Sequence, residues 1–178
     1  MSLREVTVTL AAVSNGRTAL VRAYPNDDGN RYIVPLYDMT VSGTDDAGSP
    51  IKEIYDVIRF GVQRDVAKGV SKAKMVGLYE SQSHVLRRVG YLGGSWQIKG
   101  GHLIHDGADE PMKQAWGQIG CLEVVGKGQS DGGVDRWQEF EALMLKLSGA
   151  KTAEELGSSG KAQIVIHASP IPPLKKYP

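Results

Sequence analysis

Val6-Thr7-Val8-Thr9-Leu10 alternates apolar and polar side chains, the period-two pattern of a strand with one buried face. Ala19 to Tyr24 is a second such run, and Ser14-Asn15-Gly16 between them supplies turn residues, so the spacing predicts a hairpin. Pro25 to Asn30 reads as a further turn. Tyr32-Ile33-Val34 and Tyr37 to Val41 are strand-like around Pro35, which has no N–H for a ladder and so marks an edge or a bulge. Ser42 to Pro50 is a polar loop. Ile54 to Val62, Met75 to Tyr79, Val85 to Tyr91 and Ser95 to Ile98 are further strand-like runs, and Gln63 to Lys74, carrying Arg64, Lys68, Lys72 and Lys74, reads as a solvated loop. Only one stretch has strong helical periodicity. Trp137, Phe140, Met144 and Leu147 form one apolar stripe, Asp135 suits the positive end, Lys146 the negative end, and Gly149 stops the run. That predicts a helix over Val134 to Leu147. Ala153 to Leu156 reads as a short helical turn and Gln163 to His167 as a last strand before Pro170, Pro172 and Pro173.

The pattern predicts a mainly β (α+β) fold with one principal helix. The 178 residues are expected to form a single domain. Its strands fall within 5–91 and 162–168, and its most informative segment is about 95–149. Lys and Arg total 21 against 20 Asp and Glu, a net charge of +1, which gives no electrostatic case for nucleic acid as a partner. No run of apolar residues is long enough for a membrane-spanning helix. Met1 to Glu5 lacks the apolar core of a cleaved leader, so synthesis in the cytoplasm without a signal peptide is the expectation. With one cysteine, no disulfide forms within the chain.

Chemistry concentrates in Gly100 to Gly126. A short apolar strand delivers His102 and His105, a loop from Asp106-Gly107 through Trp116-Gly117 follows, and the chain returns through Gly120 to Cys121 and the apolar run Leu122 to Val125. His105 and Cys121 meet if those two strands lie side by side. A thiol, ordinarily of pKa about 8.5, becomes a useful nucleophile beside a base. Gly120 leaves room for substrate at the backbone, and the N–H groups near Gly120 and Cys121 are placed to face a developing oxyanion. A depressed Cys121 pKa is therefore expected. A lone cysteine is more often a small buried hydrophobe, and a metal site of His102, His105 and Cys121 lacks a familiar ligand spacing.

The run Ile104-His105-x-Gly107, a loop, then Gly120-Cys121-Leu122 and a later helix resembles the L,D-transpeptidase (YkuD-like) catalytic core, closest to small uncharacterised phage and secretion-system relatives. The resemblance covers roughly Ser95 to Gly149. It implies a β-sandwich or barrel core, and a peptidoglycan stem peptide as substrate. It implies a Cys121 thioester formed with His105, or alternatively His102, as base, with Gly120 at the catalytic turn. Gly107, Trp116, Gln118 and Glu123 would bind substrate. No metal or organic cofactor is implied. The outcome would be L,D-carboxypeptidase or L,D-transpeptidase action at the periplasm or cell wall, by a housekeeping or phage-associated enzyme or by an antibacterial effector with its own immunity or delivery protein. Two family residues are replaced. Gln118-Ile119 stands for Ser/Thr-His before Gly-Cys, and Glu123 for the usual Arg, which favours hydrolysis over cross-linking. Two other readings stand beside this one: a papain- or NlpC-like cysteine amidase pairing Cys121 with His167, and a non-catalytic cell-wall-binding or phage-structural module.

Overall fold

The computed structural model describes residues 2–67, 72–128 and 135–178. Lys68 of the expected basic loop and Val134, the first residue of the expected helix, lie outside them. The fold is mainly β with two helices among the described residues. The strands are β1 (Val6–Arg22), β2 (Tyr24–Pro25), β3 (Arg31–Thr44), β4 (Pro50–Ile58), β5 (Phe60–Arg64), β6 (Lys74–Gly77), β7 (Gln82–Val85), β8 (Arg87–Val89), β9 (Ser95–Lys99), β10 (His102–Asp106), β11 (Trp116–Gly117), β12 (Leu122–Val124), β13 (Ala162–Ile166) and β14 (Lys176–Tyr177). The helices are α1 (Arg136–Ser148) and α2 (Ala153–Ser159). The larger sheet runs β7-β13-β1-β3-β4-β12-β10-β9-β8, with β11 added to β1 and β14 to β3, and a small sheet runs β2-β5-β6.

The expected hairpin at Ser14-Asn15-Gly16 does not form. β1 continues through these residues as one strand, pairing with β3 on both sides of them, from Thr7↔Ser42 to Val21↔Tyr32. The turn chemistry is real but is used for a bulge. Arg17 N–H donates to Asn15 Oδ1, and Gly16 sits at φ +86°, a conformation glycine adopts without a Cβ penalty. Asn15 Nδ2 reaches across to Asp38 and Asp56, which ties the bulged chain to β3 and β4. The register shifts between Leu10 and Ser14, and again between Ser14 and Thr18, which is paired with Pro35. Pro35 thus lies at a bulge, where its missing N–H costs no regular ladder bond.

The bulge also switches faces. Before it, Val6, Val8 and Leu10 point into a core shared with Met39, Val41 and α1; after it, Ala19, Val21 and Ala23 point into a second core with Tyr32, Val34 and Leu36. Side chains alternate along a strand, so a shift of register is what moves a strand's apolar set from one face to the other.

Helix α1 buries Trp137, Phe140, Met144 and Leu147, the predicted stripe. Asp135 caps it, accepting from Trp137 N–H at 3.0 Å and Gln138 N–H at 3.3 Å, and Gly149 ends it at φ +76°. Glu141 on its flank holds the β8–β9 hairpin. It accepts from Arg88 Nε and Nη2 at 2.9 Å each, and from Trp96 Nε1 at 3.0 Å. β9 then carries β10, antiparallel through Ile104↔Trp96, so the helix indirectly fixes the strand bearing the histidines.

Candidate functional site

β10 and β12 are neighbours, as the sequence requires for His105 and Cys121 to approach, and they run parallel in the register Ile104↔Leu122, His105↔Glu123, Asp106↔Val124. Ile104 and Leu122 face the core and are fully buried. The cross-strand partner of His105 is therefore Glu123, not Cys121, which lies two residues earlier on β12's side. Gly107 makes this closeness possible. It is buried, its N–H donates to Val124 O at 2.9 Å, and a Cβ there would come within 2.9 Å of Glu123 Cβ.

His105 and Glu123 open into a cleft of about 430 Å³, which Arg22, Leu92, Asp106, Trp116 and Gly117 also line. β11 reaches it by pairing with the end of β1, Val21↔Trp116 and Arg22↔Gly117. Gly117 lets the Arg22 stem lie close, since a Cβ there would sit 3.3 Å from Arg22 Cγ. Leu92 stands at φ +54°, ψ +36°, a left-handed conformation that costs a residue with a Cβ roughly 1–2 kcal/mol. A larger cavity, about 590 Å³, adjoins Arg17 and Asp56, but those two are already paired at 2.6 Å.

The electrostatics of the cleft follow from burial. Glu123 is only 1 % exposed. Desolvation, with a smaller contribution from the negative Asp106, raises its pKa to about 8. Its Oε2 has no hydrogen-bond partner, an uncommon state for a buried polar atom. Burial lowers the pKa of His105, partly offset by its bond to Asp106 O at 2.7 Å. That bond makes Nδ1 the donor, leaving the Nε2 lone pair towards Glu123 Oε1 at 3.9 Å, too far for a direct hydrogen bond. Both groups are thus mainly uncharged near pH 7: a carboxylic acid facing a neutral imidazole. Asp106 is itself raised to about 6, by burial and by Asp135 and Asp109. The carboxylates of these three aspartates lie within 4.8 Å of one another and are the described residues best placed to hold a cation, although Asp135 already serves as the cap of α1.

Cys121 is half-buried, and its thiol makes a weak hydrogen bond to Gly101 O at 3.8 Å. The residue after Gly101 is His102, and a Cβ on Gly120 would lie 3.5 Å from His102 Nε2. The imidazole near the Gly120-Cys121 backbone is accordingly that of His102. On its other side Gly120 presses on β6, where a Cβ would meet Gly77 Cα at 2.9 Å, and its φ of +100° also requires glycine. Burial and the nearby Glu123 raise the thiol pKa, against a lowering by the Leu103 backbone. The expected depression is reversed, because desolvation of the thiol outweighs the lowering by the Leu103 backbone. His102 is lowered by burial and by Lys99.

The predicted site residues divide into three groups. His105, Glu123 and Trp116 line the cleft. Cys121, His102 and Gly120 cluster beside it. Gly107 and Gln118 are buried, and Gln118 Oε1 accepts from Gly120 N–H at 2.5 Å. That N–H, expected to face an oxyanion, is therefore already engaged, while Gln118 Nε2 is buried without a partner. His167 is exposed beyond β13, and β1, β3 and β4 lie between β13 and β12 in the sheet. Arg22 and Leu92 were not evident from the sequence. Glu123 carried a signal, a lone carboxylate within the apolar run Leu122 to Val125. No family model, curated protein or solved structure matches this chain.

Proposed function

We propose that the chain is a cysteine-dependent acyl-transfer enzyme acting on peptidoglycan stem peptides, chiefly as an L,D-carboxypeptidase. The observation that carries the reading is the convergence at one end of β10 and β12 of a single cysteine, a glycine in a glycine-only conformation and a histidine with a depressed pKa. The thiol is protonated at rest, so no thiolate–imidazolium pair stands ready. His102 takes the proton as sulfur attacks the carbonyl carbon on the L side of an L,D bond, and returns it to the departing amine. The C–N bond breaks as the C–S bond forms, and water then cleaves the thioester to regenerate the thiol. Transpeptidation would substitute an amine for that water. His105, partnered with Glu123, is a positioning or binding group in this scheme and the second candidate for base. The reading places the site of action at the periplasm or cell wall, in an effector, phage-associated or housekeeping role.

Two observations favour a second reading, a binding module without catalysis: the raised Cys121 pKa, and the Gly120 N–H held by Gln118. Incubation with disaccharide-tetrapeptides, read by mass spectrometry, separates the two. The enzyme releases the terminal residue in a Cys121-dependent way. The module leaves every muropeptide intact and co-sediments with sacculi.

A further inference from the structure

We infer that the cleft between β10, β12 and β11 binds a short peptide by its free terminal carboxylate, which Arg22 receives. Four observations at the cleft converge on this. The first is an unused cation. Arg22 lines the cleft and is exposed, and among the described residues its guanidinium has no ion-pair or hydrogen-bond partner, a state it shares only with Arg87 among the arginines, and Arg87 lies away from this cleft; Arg4, Arg17, Arg31, Arg88 and Arg136 each hold a carboxylate. Its guanidinium presents a planar fork of donors that suits a carboxylate.

The second is an unused buried acid. Glu123 is nearly fully buried, lines the same cleft and leaves Oε2 unpartnered. Kept protonated, it has an O–H to give to an amide carbonyl of the ligand. The third is a pair of exposed apolar side chains at the cleft, Trp116 at 41 % and Leu92 at 60 % exposure. They suit the apolar flanks of a short peptide better than open water. The fourth is the left-handed backbone at Leu92, the one residue other than glycine held at positive φ among the described residues. Such conformations persist where the surroundings enforce them and concentrate at ligand sites. The cleft volume lies within the range of roughly 300–1,000 Å³ typical of small-ligand sites.

This inference depends on the reading above for the identity of the peptide, and not for the binding itself. The probes are an N-acetylated dipeptide ending in D-alanine as its free acid, and the same dipeptide as its C-terminal amide. Calorimetry on the Cys121→Ala chain measures binding without turnover. The free acid should bind about tenfold more tightly than the amide, the effect of one charge-assisted contact at a partly exposed site. Arg22→Gln should abolish that preference while leaving the fold intact, and Arg22→Lys should keep part of it. Equal binding of acid and amide, a preference that survives Arg22→Gln, or no binding of either probe at millimolar concentration would overturn the inference. Acid-selective binding in a chain that cleaves no muropeptide would keep this site and remove the catalytic reading. Cleavage without acid selectivity would do the reverse.

Discussion

Two buried ionisable groups lie close across paired strands, Glu123 opposite Ile58 and Arg59 next along, but differ in how they are satisfied. Arg59, between β4 and β5, is fully buried and has no carboxylate partner among the described residues. It donates instead to backbone carbonyls, through Nε and Nη2 to Leu78 at 3.1 and 3.0 Å, and through Nη1 and Nη2 to Ala11 and His167 at 2.8 and 2.6 Å. Its guanidinium also packs near the Tyr37 and Phe60 rings, 5.5 and 5.3 Å from their centroids. Glu123, on the strand beside β4, is equally buried but has an oxygen with no partner and faces a cleft. Every nitrogen of the cation is bonded, through four hydrogen bonds that join β1, the segment after β6 and the end of β13. The acid is held short of saturation where a ligand has access. A buried polar group that serves the fold has its bonds completed by the fold; one left incomplete at a cleft has capacity for something else.

Breaking the saturated group should have the larger effect. Arg59→Met keeps the stem but strands three carbonyls, and should cost about 3–5 kcal/mol in urea denaturation. A loss under 1 kcal/mol would mean that those carbonyls find water, and the contrast with Glu123 would collapse. Phe140→Ala, an apolar deletion in the same core, should cost a similar 3–5 kcal/mol and serves as a size standard.

Glu123→Gln should be far milder, and its signature is a pH dependence. A carboxyl raised to about 8 binds a proton in the folded chain that the unfolded chain has released, so stability falls as pH rises towards 8. His105, lowered, acts oppositely, but only below about 6.5, its unfolded value, and Asp106 has completed its change by a little above 6. Between pH 6.5 and 8 the slope therefore belongs mainly to Glu123 and totals at most about 2 kcal/mol. The wild-type chain should lose stability across that interval, and Glu123→Gln should flatten the curve. A wild-type curve flat across that interval, and unchanged by Glu123→Gln, would show that Glu123 is ionised. Milder again is the effect on Cys121, whose alkylation by iodoacetamide should reach half its limiting rate at a higher pH than a free thiol does. A midpoint below that of a free thiol would put an imidazolium beside the sulfur. Leu92→Gly should have the smallest effect on the fold, a gain of at most about 1 kcal/mol as relief of the left-handed backbone is offset by the entropy of glycine.

The sequence exposed most of the fold because most of it is local. The alternation in Val6 to Leu10 and the stripe of α1 are periodic signals, and both appear where the pattern places them. The Ser14-Asn15-Gly16 signal is ambiguous for a physical reason: an Asx turn reverses a chain or bulges a strand with the same residues, and only the partner strand decides which. The sequence singles out Cys121, His102 and His105 as chemistry-bearing residues, but it does not give their pairings. The adjacency of β10 and β12 was readable from loop length, but their register was not, and a shift of two residues separates a His105–Cys121 pair from the His105–Glu123 pair observed. Arg22 had no signal at all, since a cation in a strand gains meaning only when β11 docks beside it.

The catalytic claim is tested most directly by the fate of a disaccharide-tetrapeptide incubated with the wild-type, Cys121→Ala, His102→Ala and His105→Ala chains, followed by mass spectrometry. The account predicts loss of the terminal residue with the wild-type chain, none with Cys121→Ala, a reduction of about 10²-fold or more with His102→Ala, and a smaller one with His105→Ala. Product formed at the wild-type rate by Cys121→Ala, or none from the wild-type chain, would contradict it.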